Sequence, residues 1–180
     1  MNIRLSSVRA VADRLESSGI AYASGGSGLL CSLGLADKVN DWDFTTEASQ
    51  EELTAALQDF SCIVAPSGDY PFASECRLSI PDSAPPFDII GRFAVHSDSG
   101  VVRLPVLTSA VWHGIRIGSP EVWAVAYALM GRQSKAALLL AYLREHGADR
   151  EALRLLLEEP LPDRIRAELE RLRLRPDAPR

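Results

Sequence analysis

Apolar residues at Leu5, Val8, Val11, Ala12 and Leu15 recur at helical spacing, which predicts an amphipathic helix over residues 5–18, stopped by Gly19. Residues 20–24 follow as a short strand. Gly25-Gly26-Ser27-Gly28 then forces a tight turn before a short helix over 29–33, closed by Gly34, and a polar loop over 36–40. Trp42 and Phe44 alternate with Asp41, Asp43 and Thr45, the period-two pattern of a half-buried strand. A second helix suits residues 46–60, because Thr46, Ser49 and two glutamates favour a helix N-terminus.

The middle of the chain is strand-like over 62–65, 75–80, 87–90, 101–107 and 112–117. Loops rich in Pro, Ser, Asp and Gly at 66–70, 81–86 and 97–100 separate these segments. Pro71, Pro105 and Pro85-Pro86 predict that some strands sit at edges or begin late. From Ser119 the pattern turns helical. Ser119 is a cap with Pro120 at the first helical position, and helices follow over 122–131, 134–146, 149–158 and 163–174. Residues 176–180 read as loose. The expected organisation is an α/β core over 1–118 and a helical segment over 119–180 packed on it. That order of elements fits α+β, a mixed sheet with flanking helices, better than a doubly wound sheet.

Composition narrows the class. With 180 residues, 47% of them hydrophobic and 24% charged, the chain can bury a sizeable core without disulfides or structural metals. A net charge of −5 argues against a broad nucleic-acid surface. No apolar run approaches the roughly 20 residues of a membrane-spanning helix. Residues 1–4 lack the apolar stretch of a signal peptide, so a cytoplasmic protein is expected. Cys31, Cys62 and Cys76 match no zinc or CxxC spacing and read as reduced thiols. His96, His113 and His146 show no ligand spacing and read as structural. Tyr127, Leu138, Tyr142 and Leu143 read as core. The Arg/Glu stripe over 163–175 reads as a solvated or interface face with i,i+4 pairs such as Arg164–Glu168. The apolar helices from Ala136 onward offer a surface for a homo-oligomer or a partner protein.

The chemistry concentrates in two short motifs. On a strand, Asp41 and Asp43 share a face, opposite Trp42 and Phe44. Two carboxylates side by side raise each other's pKa unless a cation sits between them, and a hard divalent ion with oxygen ligands suits the pair. Upstream, Gly25-Gly26-Ser27 lies between a strand and a helix, where backbone amides can approach a phosphate. Thirteen residues separate Ser27 from Asp41. The glycine turn carries neither the GxGxxG fingerprint nor a GKS or GKT sequence.

With these motifs the chain resembles the nucleotidyltransferase superfamily, related in fold to DNA polymerase beta, and in particular its small stand-alone bacterial members. Gly25-Gly26-Ser27 and Asp41-Trp42-Asp43 match the family's glycine turn and its acid–hydrophobic–acid strand. Asp88 in Phe87-Asp88-Ile89-Ile90 fits a third acid on a later strand. A hairpin-like stretch follows, then Ser119-Pro120-Glu121 opens a helix that leads to Gly131-Arg132-Gln133-Ser134-Lys135. The resemblance implies a Mg²⁺-dependent, two-metal transfer of a nucleoside monophosphate from an NTP to a hydroxyl acceptor. That acceptor would be a small molecule, a protein side chain or an RNA end. Asp41, Asp43 and Asp88 would be the catalytic and metal-binding acids. Gly25, Gly26, Ser27, Arg132 and Lys135 would bind the nucleotide. The alternative reading is a non-catalytic binding or regulatory module that keeps the fold, for example a toxin–antitoxin component. It draws on the absence of a basic residue over 122–130, where similar small members often carry a lysine.

Overall fold

The computed structural model describes residues 5–174; the readings of residues 1–4 and 176–180 lie outside them. Helix α1 (Ser6–Ser17) buries Val8, Val11, Ala12 and Leu15, the stripe that the spacing predicts. Strand β1 (Tyr22–Ser24) leads through Gly25 into α2 (Gly26–Ser32), and β2 (Trp42–Thr46) follows. Helix α2 starts three residues before the expected Leu29. Its first residue, Gly26, has φ +57°, a conformation that suits glycine and that L side chains rarely adopt. Helix α3 is confined to Gln50–Ala56, and Ser49 and Glu52 cap it reciprocally. It is shorter than predicted because Thr46 belongs to β2, where its hydroxyl donates to the Ala21 carbonyl at 2.7 Å.

Strands β3 (Ile63–Ala65), β4 (Cys76–Ile80) and β5 (Phe87–Gly91) fall where predicted. The next stretch differs. A hairpin of β6 (Ala94–Ser97) and β7 (Gly100–Arg103) stands where one strand over 101–107 was expected. Strands β8 (Thr108–Trp112) and β9 (Ile115–Gly118) form a second hairpin in place of one strand over 112–117. Two positive φ angles, at His113 and Gly114, turn the chain back on itself there.

Among the described residues the main sheet has seven strands in the order β3-β4-β5-β2-β1-β9-β8. β2 runs antiparallel to β1 and parallel to β5, and β1 runs parallel to β9. The sheet is therefore mixed, and the seven helices among the described residues flank it, the α+β arrangement expected. Helices α4 (Pro120–Leu129), α5 (Gln133–His146), α6 (Arg150–Glu158) and α7 (Asp163–Arg173) complete the described chain. Buried Glu121 joins two of them: its carboxylate accepts from Ser119 Oγ at 2.5 Å and from the Asp149 amide, the α6 cap, at 2.7 Å.

Details of the helical segment correct the sequence reading. Glu168 does not pair with Arg164; it takes Arg144 of α5 and Arg171, each at 2.6 Å. Leu138 is 44% exposed, whereas Tyr127 and Leu143 are buried. All three cysteines are free thiols. Among the described residues no helix is long and apolar enough to cross a membrane.

Candidate active site

The site is built on the alternation of β2, β4 and β5. Trp42, Phe44, Leu78, Ile80, Phe87 and Ile89 fill the core side of the sheet. Rings lock this layer: Phe44 stacks on Tyr22 with centroids 4.4 Å apart and meets Phe87 edge-on at 4.6 Å. Strand geometry then turns Asp43, Asp88, Ser79 and Arg77 to the opposite face. Asp43 pairs with Asp88 across the parallel β2–β5 ladder, and Ser79 pairs with Asp88 across β4–β5. Asp41 precedes β2 and lines the same cavity, of about 380 Å³, together with Asp43, Asp88, Arg77, Trp123 and Arg132.

Each acid is held differently. Ser27 Oγ donates to Asp41 at the Oδ1 atom (2.8 Å) and at the carbonyl (2.7 Å), and accepts from the Asn40 and Asp41 amides at 3.0 and 3.2 Å. The hydroxyl predicted to face phosphates thus fastens Asp41 in place. Asp43 is half-buried at the base of the cavity, and its pKa is pushed up to about 7. Burial is the largest cause, followed by the negative charges of Asp41 and Asp88; Arg132 and Lys135 oppose the shift. Asp88 uses both oxygens within the protein: Oδ1 accepts from Ser79 Oγ at 2.5 Å and Oδ2 pairs with Arg77 Nη2 at 3.0 Å.

The glycines act by close approach. A Cβ on Gly25 would fall inside the Trp123 ring, one on Gly26 would collide with Asp43 Oδ2, and one on Gly28 would lie 2.6 Å from the Trp42 ring. The Gly25 amide donates to the Asp43 carbonyl at 2.8 Å, extending the β1–β2 ladder up to the acid pair. The turn is therefore a packed joint between α4, α2 and the acid strand.

Basic charge arrives from the α4–α5 corner. Arg132 borders the acid cavity, and Lys135 Nζ lies 5.3 Å above the Tyr127 ring. Tyr127 is buried, its hydroxyl has no hydrogen-bond partner among the described residues, and burial pushes its pKa up. The charges of Arg132 and Lys135 both act to lower the Asp43 pKa.

No family model matches the sequence, and no curated protein matches it. Solved structures do match. A proposed nucleotidyltransferase from Thermotoga maritima aligns with a TM-score of 0.60 at 24% identity, over 80% of this chain and 96% of that one. The antibiotic-resistance factor ANT(2'')-Ia aligns with a TM-score of 0.57 at 15% identity, over 94% of this chain and 89% of that one. The same factor in complex with adenylyl-2''-tobramycin gives 0.51 at 15% identity, over 94% and 97% of the two chains. The chain has the nucleotidyltransferase fold. On this fold Asp41, Asp43 of β2 and Asp88 of β5 share one cavity.

Whether a divalent cation suits that cavity depends on the donor set. Asp41 and Asp43 fit: both carry carboxylate oxygens on one cavity wall, and a cation there would offset both the burial of Asp43 and the neighbouring charges of Asp41 and Asp88 that raise its pKa. Asp88 as it stands does not, because both oxygens are engaged by Ser79 and Arg77. Accordingly, no group of three His, Cys, Asp or Glu side chains among the described residues is arranged to hold an ion. Arg77 had no sequence signal of its own; only the β4–β5 register brings it to the acids.

Proposed function

We propose that this protein is a nucleotidyltransferase that moves a nucleoside monophosphate from an NTP to a hydroxyl acceptor in a Mg²⁺-dependent reaction. The observation that carries this reading is the acid face. Asp41, Asp43 and Asp88 border one cavity on the nucleotidyltransferase fold, with the charges of Arg132 and Lys135 acting on Asp43.

Asp41 and Asp43 would hold Mg²⁺, and Asp88 would join them once its carboxylate leaves Arg77. When bound, such ions neutralise phosphate charge and stabilise the entering and leaving oxygens of an in-line displacement. Gly25 and Gly26 keep side chains out of the joint beside Asp43, so backbone amides at the start of α2 can approach the triphosphate. Ser27 fixes Asp41. Arg132 and Lys135 draw the phosphates toward the acids and offset their charge. Asp88 takes the proton from the acceptor hydroxyl as its oxygen bonds to the α-phosphorus. The bond from that phosphorus to the pyrophosphate oxygen breaks, and pyrophosphate leaves. In this reading the core over 1–118 carries the acids, and the segment over 119–180, packed on it, supplies the basic charge.

Calorimetric titration with ATP, GTP, CTP and UTP, with and without Mg²⁺, tests the reading in the native protein and in Asp43→Ala. Metal-dependent binding that the substitution abolishes is expected. No binding of any NTP at any Mg²⁺ concentration would overturn it. A second reading, a binding or regulatory module without turnover, is favoured by the full engagement of Asp88. Pyrophosphate release separates the two once NTP binding is established.

A further inference from the structure

Arg77 borders the acid cavity, and the proposed reaction gives it no role. It projects from β4 onto the acid face, two residues from Ser79, and the two side chains together occupy both oxygens of Asp88. Among the described residues, Arg77 is the only cation in an ion pair with any of the three acids, and it borders the same cavity as Asp41 and Asp43. Its side chain is 44% exposed, so it has open space into which to swing. A guanidinium in this position does for Asp88 what a divalent ion would do: it offsets a carboxylate beside two others. An arginine is also well matched to phosphate oxygens, which it can bind bidentately.

We propose that Arg77 is a charge-exchange residue of the nucleotide site. It neutralises Asp88 while no divalent ion is bound, and it moves onto the phosphates of the incoming nucleoside triphosphate when Asp88 is given over to the ion. The inference rests on the acid cavity being the nucleotide site. It makes Arg77 a positioning residue, with opposite effects on two ligands. Before nucleotide arrives, Arg77 competes with the metal for Asp88. Once nucleotide is bound, it helps to hold the phosphates. A merely structural arginine on β4 would produce neither effect.

The test uses two probes that need no turnover and no base recognition: Mn²⁺ alone, with the free ion measured by electron paramagnetic resonance, and inorganic tripolyphosphate in the presence of Mn²⁺. Native protein is compared with Arg77→Gln, Arg77→Lys and Arg92→Gln. The last variant removes the exposed Arg92–Glu75 ion pair, outside the acid cavity, and controls for net charge. Arg77→Gln is expected to bind Mn²⁺ about threefold to tenfold more tightly and tripolyphosphate more weakly by a similar factor, the scale of one partly exposed charged contact. Arg77→Lys should stay near native for Mn²⁺, and Arg92→Gln should match native with both probes. Unchanged Mn²⁺ affinity in Arg77→Gln, with native binding intact, overturns the exchange alone. So does equal strengthening in Arg92→Gln, or tripolyphosphate binding that ignores Arg77. Absence of Mn²⁺ binding in every variant overturns the acid-site reading and this inference together.

Discussion

The two walls of the acid cavity are held by different forces. On the β1–α2–β2 wall, position is set by packing. Gly25 lies against Trp123, Gly26 against Asp43 and Gly28 against Trp42, and the buried Ser27 hydroxyl holds Asp41. On the β4–β5 wall, position is set by charge: Asp88 is held by Ser79 and by a partly exposed arginine. Packing of the first kind is close to all-or-none, since an interior at crystal-like density has no room to yield. An ion pair near solvent is weak and exchangeable. The pair predicted to hold an ion thus lies on the rigid wall, and the acid that must change partners lies on the labile one.

The sharpest way to break the rigid wall is Gly25→Ala. The main cost is the methyl group, whose Cβ would lie 1.7 Å from atoms of the Trp123 ring. Overpacking of this kind should cost about 3 kcal/mol, a fall in Tm of roughly 10 °C for a chain of this size. Urea denaturation and thermal melts check it. If the Trp123 contact is the cause, Gly25→Ala combined with Trp123→Leu loses less stability than the sum of the two single changes. A near-native Tm for Gly25→Ala would show that the joint is not tightly packed.

Asp43 lies at the foot of that wall and sharpens the contrast through pH. Its folded pKa of about 7 lies above its ordinary value of 3.8, because burial and then Asp41 and Asp88 disfavour the charge. Between those values the folded protein holds the proton more tightly than the unfolded chain does. Stability therefore falls as pH rises from about 4 to about 7, and the loss is complete above that range. Asp43→Asn removes this slope. Its melting curves should match native near pH 4 and lie above native at pH 8, by up to a few kcal/mol. Parallel pH profiles for the two proteins would remove the case for a strained charge at this position.

How much of this was legible in the sequence follows from which contacts are local. The strand that presents the acid pair could be read from Trp42, Asp43 and Phe44, because a period of two fixes opposite faces without knowledge of any neighbour. Ser119-Pro120 and Asp149 marked helix starts for the same local reason. The β8–β9 hairpin was missed because Trp112 and Ile115 continue an apolar pattern across a turn made by His113 and Gly114. The β6 strand was missed because its alternation is short and its partner is only a hairpin away. Nothing in the sequence shows that the Ser27 hydroxyl returns to a loop fourteen residues later. Arg77 stayed hidden for the strongest form of that reason: it reaches Asp88 only through the register of two strands joined by a six-residue loop over 81–86.

The labile wall makes the smallest stability prediction and the clearest separation of stability from ligand binding. Asp88→Asn removes one partner of an ion pair whose side chains are 44% and 27% exposed. Solvent screens such pairs, and an asparagine can still accept from Ser79, so the expected cost is below about 1 kcal/mol. The substitution also lessens repulsion at Asp43, whose pKa should fall toward its ordinary range. Two measurements on one variant decide the point: a thermal melt near pH 7 and calorimetry with an NTP and Mg²⁺. A melt within about 3 °C of native, together with weakened metal-dependent nucleotide binding, would assign the β5 acid to ligand rather than to fold. A large loss of stability would mean that Asp88 is as firmly built in as Asp41, and the difference between the two walls would disappear.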